Sequence, residues 1–306
     1  MTVVDAHAHV IVPGLGAKVS WRDGAQVVEL GGREIRSAVR EFVDLERIQL
    51  EQDRAGVDRV VLCPWVNLLG REPHRQNEAL AEMTGRRIAA LGTVDAERPE
   101  QVRELMDDGR LAGVEVPASI GGAYLGDERF RDFWAAAEET QALVFVHPTT
   151  RGFELPVFDG YYLWNSVANP LETTVTAAHM VMAGVLEAHP RLQVLLAHGG
   201  GALLALRGRL RHAHSFQPQA RERLGGAVDA SLRRFLYDTV THDPELLRAL
   251  IDYVGADRVL LGSDYPFDMG DERPAEIVRS LGLPPDDEAA ILGGNALRLL
   301  GQESPA

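Results

Sequence analysis

The chain of 306 residues contains one cysteine, Cys63, so no disulfide can form within it. That expectation places it in a reducing cytoplasm, with Cys63 as a buried strand residue. No apolar run approaches the ~18 residues of a membrane span, and the N-terminus lacks the pattern of a signal peptide. Positive charge is scarce: 31 Lys and Arg stand against 45 Asp and Glu, a formal net charge of −14. The acidic residues are spread along the chain, which argues against nucleic acid, whose phosphates need a basic face. A locally basic pocket for a small anion is still allowed. Lysine itself is nearly absent, Lys18 being the only one. There is no internal repeat, low-complexity tract or long linker.

What is present is a rhythm. Short runs rich in Val, Leu and Ile predict eight strands, near Val3–His7, Arg59–Cys63, Ala89–Val94, Gly113–Val116, Leu143–His147, Gln193–His198, Phe235–Thr239 and Val259–Ser263. Amphipathic stretches lie between them: Leu45–Ala55, Gln76–Arg86, Pro99–Gly109, Glu128–Glu139, Thr173–Ala188, Ala202–His212 and Pro244–Val254. Apolar strands alternating with helices predict a parallel sheet covered on both faces. Eight such units in about 300 residues predict an α/β fold, the (β/α)8 TIM barrel, as a single domain over residues 1–306. A doubly wound sheet is the alternative, but Gly199-Gly200-Gly201, which follows a strand, lacks the GxGxxG spacing of a dinucleotide loop. Extended loops are expected after strands 1 and 5, over Ile11–Val43 and Pro148–Leu171, on the C-terminal rim where substrate loops sit.

The polar residues ending these strands form a series. The first strand ends in His7 and His9, the fifth in His147, the sixth in His198, and the eighth in Gly262-Ser263-Asp264. Residues i and i+2 of a strand share a face, so His7 and His9 can reach one ion. Three histidines and one aspartate make a set of divalent-metal ligands, with one histidine left beside the metal. A lone histidine in an apolar strand is more often a core residue; four of ten at strand ends reverse that balance. His179 and His189 flank a helix end, His212 and His214 suit a helix C-terminus, and His74 reads as surface. His242 follows the seventh strand, where a side chain can face the rim. Two-metal barrels commonly bridge their ions with a carboxylated lysine. Lys18 lies in the first loop, away from any strand end, which favours a mononuclear centre.

These motifs resemble the amidohydrolase superfamily, a metal-dependent hydrolase type of barrel, and within it the branch of α-amino-β-carboxymuconate-ε-semialdehyde decarboxylase. The resemblance also covers Asn169-Pro170-Leu171-Glu172-Thr173-Thr174, Ala183-Gly184-Val185-Leu186-Glu187, Ala197–Ala202 with Gly208-Arg209, His242-Asp243-Pro244, and Gly294-Asn295-Ala296. It implies one divalent metal per chain, zinc with manganese permitted, on His7, His9, His147 and Asp264. It implies His198 as the acid/base histidine, with Asp264 sharing that role. It implies that Arg36 and Arg209 bind the substrate carboxylate, Arg209 from a neighbouring subunit of a homodimer. Trp164, Asn165 and Phe267 are the further expected substrate contacts. Where the family carries Trp-Leu-Pro-Trp, this chain reads Tyr161-Tyr162-Leu163-Trp164-Asn165, and its first loop is shorter. Both departures count against the family's best-known substrate.

The chemistry follows from the residue types. A metal on such ligands stabilises negative charge on a substrate oxygen, a histidine beside it exchanges a proton with carbon, and guanidinium groups hold carboxylates bidentately. The expected activity is a metal-dependent non-oxidative decarboxylase of a small unsaturated or aromatic carboxylate, a carbon–carbon lyase. A hydrolase or hydratase on the same scaffold is the alternative. A non-catalytic metal-binding barrel is a third reading, against which the intact ligand set and His198 count.

Overall fold

The computed structural model describes residues 1–12, 15, 18–22, 25–30, 33–37, 45–149, 153 and 155–301. Eight parallel strands carry the architecture: β1 (Val4–Val10), β2 (Arg59–Pro64), β3 (Ile88–Ala90, continued by Gly92–Thr93), β4 (Gly113–Pro117), β5 (Leu143–His147), β6 (Gln193–Leu196), β7 (Leu236–Asp238) and β8 (Val259–Leu260). Each pairs with the next in chain order. The ring closes from β8 back to β1: Ala6 N–H donates to Leu261 O at 2.8 Å, Asp264 N–H to His7 O at 2.8 Å, and His9 N–H to Tyr265 O at 2.7 Å. This is the α/β TIM barrel predicted from the alternation of elements.

Helices follow the strands as α1 (Leu45–Ala55), α2 (Pro73–Met83), α3 (Glu100–Asp108), α4 (Arg131–Thr140), α5 (Asn169–Met182), α6 (Leu203–Phe216), α7 (Pro244–Val254) and α8 (Pro274–Ser280). Asp243 caps α7, accepting from Glu245 N–H at 2.9 Å and Leu246 N–H at 3.2 Å, and Pro244 opens its first turn. Leu247, Leu250, Ile251 and Val254 recur at helical spacing and are buried, each contributing about 2 kcal/mol by leaving water.

Two apolar clusters result. The larger lies between the strands and the helices. The smaller fills the barrel itself, with Val4, Val61, Leu91, Phe145, Leu195 and Leu260 among its members, and Ala296 and Leu297 close its lower end. A packed interior leaves chemistry only at the upper rim, where the strands end.

Several boundaries differ from expectation: α2 is Pro73–Met83, α5 ends at Met182 and α6 runs on to Phe216, and three further differences bear on the rim. The region expected as a loop after β1 holds a three-stranded antiparallel sheet, Lys18–Arg22, Ala25–Leu30 and Arg33–Ser37. Helix α5 starts at Asn169, earlier than expected, because a helical turn over Trp164–Ala168 leads straight into it. β8 is shorter than expected because, after Leu261, its hydrogen bonds go to β1. Among the described residues no helix is long and apolar enough to cross a membrane.

Candidate metal centre

β1 carries a register irregularity between Asp5 and Ala8, yet His7 and His9 still aim together, their Nε2 atoms 3.0 Å apart. Both are fully buried. β5 delivers His147 and the turn after β8 delivers Asp264, each 5% exposed. Asp264 Oδ1 lies 3.2 Å from His7 Nε2 and 3.4 Å from His9 Nε2, while Oδ2 lies 3.4 Å from His198 Nε2. One ligand atom from each of His7, His147, His198 and Asp264 falls within 4.8 Å of all the others. His9 joins this group through its short distances to His7 and Asp264.

The outer nitrogens explain the aim. His7 Nδ1 meets Asp238 Oδ2 at 2.6 Å, His147 Nδ1 meets Pro148 O at 2.9 Å, and His9 Nδ1 meets Pro64 O at 3.4 Å. Each acceptor holds the Nδ1 proton and leaves the Nε2 lone pair facing inward. His198 is different: its Nδ1 is buried without a hydrogen-bond partner. His147 Nε2 and Asp264 Oδ1 are likewise buried and take no hydrogen bond. Orphaned inward-facing donor atoms of this kind are costly unless something bonds them, and a divalent cation fits the set of imidazoles and carboxylate.

The electrostatics favour a cation here. Burial opposes charge on His7, but the Asp264 and Asp238 carboxylates outweigh it and push the imidazole up to about 10. Burial would push Asp264 up as well, yet the surrounding imidazoles hold its carboxyl well below the usual range. Burial keeps His9 low, and it keeps His147 well below an ordinary histidine.

The sixth strand shows why the sequence folds this way locally. His198, Gly199, Gly200 and Gly201 all have positive φ, between 57° and 73°. A Cβ on Gly201 would lie 2.0 Å from Pro170 O, so only glycine lets α5 approach this turn. The turn presents the amides of His198 and Gly199 to Asp238, at 2.9 and 2.7 Å. Asp238 thereby fixes His7 and the His198 turn together.

Asp238 was not singled out from sequence, nor was Asp5, which accepts from Ser263 Oγ at 2.5 Å and from the amides of His7 and Ser263. Burial pushes Asp5 up to about 6. The available signal was an acidic residue inside or ending an apolar strand. The expected substrate contacts divide. Asn165 lines a cavity of about 210 Å³ together with His198, Asp264, Val240, His242 and Met269. Phe267 packs on the His9 ring at 5.2 Å. Trp164 stacks edge-on against Tyr162 at 4.9 Å and is not among the lining residues of that cavity. Arg209 stands exposed on α6 and does not line it either. Arg36 pairs with Val27 in the inserted sheet, and its side chain lies outside the described residues. A larger cavity, about 470 Å³, between α2 and α3 shares no residue with the cage.

A family model described as Amidohydrolase matches residues 4–302. The 2-amino-3-carboxymuconate-6-semialdehyde decarboxylase of Dictyostelium discoideum is 29% identical over 245 residues, covering 74% of this chain. The chain spans 65% of that relative's length, less than two thirds. Among solved structures, the 5-carboxyvanillate decarboxylase of Sphingomonas paucimobilis superposes with a TM-score of 0.82 at 21% identity, over 98% of this chain and 99% of the other. A dihydroxybenzoic acid decarboxylase from Polaromonas sp., solved with bound manganese, gives 0.79 at 19% identity, over 98% and 97%. Barrel, rim histidines and sequence likeness thus converge, and the chain belongs to the amidohydrolase family.

Proposed function

We propose that this protein is a metal-dependent, non-oxidative decarboxylase of a small unsaturated or aromatic carboxylate. The observation that carries this reading is the division among the histidines. His7, His9 and His147 each have Nδ1 tied to an outer acceptor and Nε2 turned inward, whereas His198 has Nδ1 free and Nε2 near Asp264. The first three, with Asp264, would hold one divalent ion, zinc or manganese. The ion would supply positive charge against negative charge building on a substrate oxygen. The manganese in the Polaromonas relative supports that choice of metal type.

Breaking the carbon–carboxylate bond releases CO2 and leaves the bonding pair on the substrate carbon, which must take up a proton. His198 is the group to deliver it, because its ring carries no fixed outer partner and can change protonation state without breaking the cage. Asp264 Oδ2, 3.4 Å from His198 Nε2, can hold the imidazolium while the proton waits. The 210 Å³ cavity suits a single-ring acid. Arg209, exposed on α6 beside Leu206 of the preceding turn, would serve the neighbouring subunit of a homodimer, and Arg36 would hold the carboxylate from its own chain.

The test pairs metal content with CO2 release from a panel of small aromatic and muconate-like acids. About one ion per chain, with CO2 from a panel member and a loss of at least about 100-fold in kcat for His198→Asn, is the expected result. Addition of water without CO2 would replace the reading with a hydratase. Failure to retain any divalent ion after reconstitution would remove the site.

A further inference from the structure

Three consecutive barrel strands end in a side-chain-bearing residue with left-handed backbone. His198 follows β6 at φ 57°, His242 follows β7 at φ 54°, and Asp264 follows β8 at φ 56°. All three line the same cavity. Strained backbone of this kind collects where a side chain must be aimed. Two of the three already have a part in the cage and its proton transfer. His242 has none.

The chain around His242 is tied down on both sides. Thr241 N–H donates to Thr239 O at 2.8 Å, and the next residue, Asp243, caps α7. The His242 imidazole itself sits exposed at the cavity mouth and makes no hydrogen bond to a described residue. A fixed backbone with an uncommitted ring at the mouth leaves this imidazole available to a ligand that enters the cavity. The wall it faces is largely apolar, with Pro170, Val240, Leu246 and Met269. No lysine or arginine lines this cavity among the described residues. An imidazole N–H at such a mouth recognises an oxygen substituent on an otherwise apolar ring.

We propose that His242 is a specificity-determining residue, donating an imidazole N–H to an oxygen that the substrate carries away from the carboxylate it loses. This inference rests on the decarboxylase reading of the same site.

The experiment measures, by titration calorimetry on manganese-loaded protein, the binding of 2-hydroxybenzoate and of its 2,3-, 2,4-, 2,5- and 2,6-dihydroxy counterparts. At least one dihydroxy acid is expected to bind about tenfold more tightly than 2-hydroxybenzoate, the size of one hydrogen bond. His242→Ala is expected to cut that ratio below about twofold, and His242→Asn, which keeps an N–H donor, to restore part of it. Damage to the fold or to the cage lowers both affinities together and leaves the ratio alone. A ratio that survives in His242→Ala, or wild-type protein with no preference for any isomer, overturns the inference while the decarboxylase reading stands. Failure of every acid to bind, with no CO2 released from any, overturns both.

Discussion

At the scale of single residues, the position of one proton decides what each cage histidine can do. Asp238 is the strongest case, because its carboxylate takes the Nδ1 side of His7 at 2.6 Å and two turn amides as well. Asp238→Asn replaces an acceptor with a group that can present N–H to N–H. It is expected to weaken divalent-metal affinity about 10–100-fold with little change in fold, as read by competition with a metal-chelating dye. That His7, His147, His198 and Asp264 gather at one place was legible in the sequence, because each ends an apolar strand and the barrel brings those ends together. Asp238 and Asp5 sit in equally apolar strands but were passed over. Their partners are backbone amides, a serine and His7, as far as 258 residues away, and no local pattern announces such a bond. The arginines expected to bind substrate show the opposite limit. Arg209 lies on a helix whose exposed face carries no periodic signal of what it meets.

At the scale of elements, the eight strands could be read because each is a short, continuous apolar run, and α1 and α7 because their buried faces recur at helical spacing. The inserted sheet could not, since Lys18–Arg22, Ala25–Leu30 and Arg33–Ser37 mix charged and polar residues with apolar ones and form no continuous apolar run. Even so, Asp23-Gly24 and Gly31-Gly32 are hairpin signals in the sequence, and the register pairs Arg22 with Ala25 and Leu30 with Arg33. The start of α5 has its own consequence. Glu172, in the first turn of that helix, is buried and accepts from Thr149 N–H at 2.7 Å, Thr149 Oγ1 and Ser119 Oγ at 2.8 Å. It thereby ties the ends of β4 and β5 to the helix, two residues beyond His147. Glu172→Ala leaves those donors unpaired and is expected to cost about 2–3 kcal/mol in urea denaturation. Weaker metal retention is expected alongside, because His147 loses its brace.

At the scale of the whole molecule, the barrel interior contains a conflict. Glu115, on β4, is fully buried and neither oxygen takes a hydrogen bond. Burial pushes its carboxyl well above the ordinary 4.5, so folding takes up a proton. That contribution is fully present below the unfolded value and is lost as pH rises through the folded one. Glu115→Met fills similar volume without the unpaired group. It is expected to gain about 1–3 kcal/mol, with the gain growing from about pH 5 to about pH 8 in urea denaturation curves, as the wild type alone weakens. A gain that shrinks with rising pH would show that the carboxyl is compensated inside the barrel. Chelation bears on the same scale. Because the cage residues come from β1, β5 and the turns after β6 and β8, a bound ion would link distant parts of the ring, and saturating manganese at about 1,000 times its Kd should stabilise the fold by about 4 kcal/mol over chelator-treated protein.

The seam where β8 meets β1 also sets a timetable. The two edges of the closing joint are separated by most of the chain: Asp5 waits for Ser263, and His7 for Asp264. A ribosome adding about 5–20 residues per second holds the first two imidazoles for tens of seconds before the carboxylate that completes their set is made. A chain arrested before β8 has histidines but no closed ring to hold them. Capture of the ion would thus wait until β8 is made, and retained metal in a cell extract would count closed barrels.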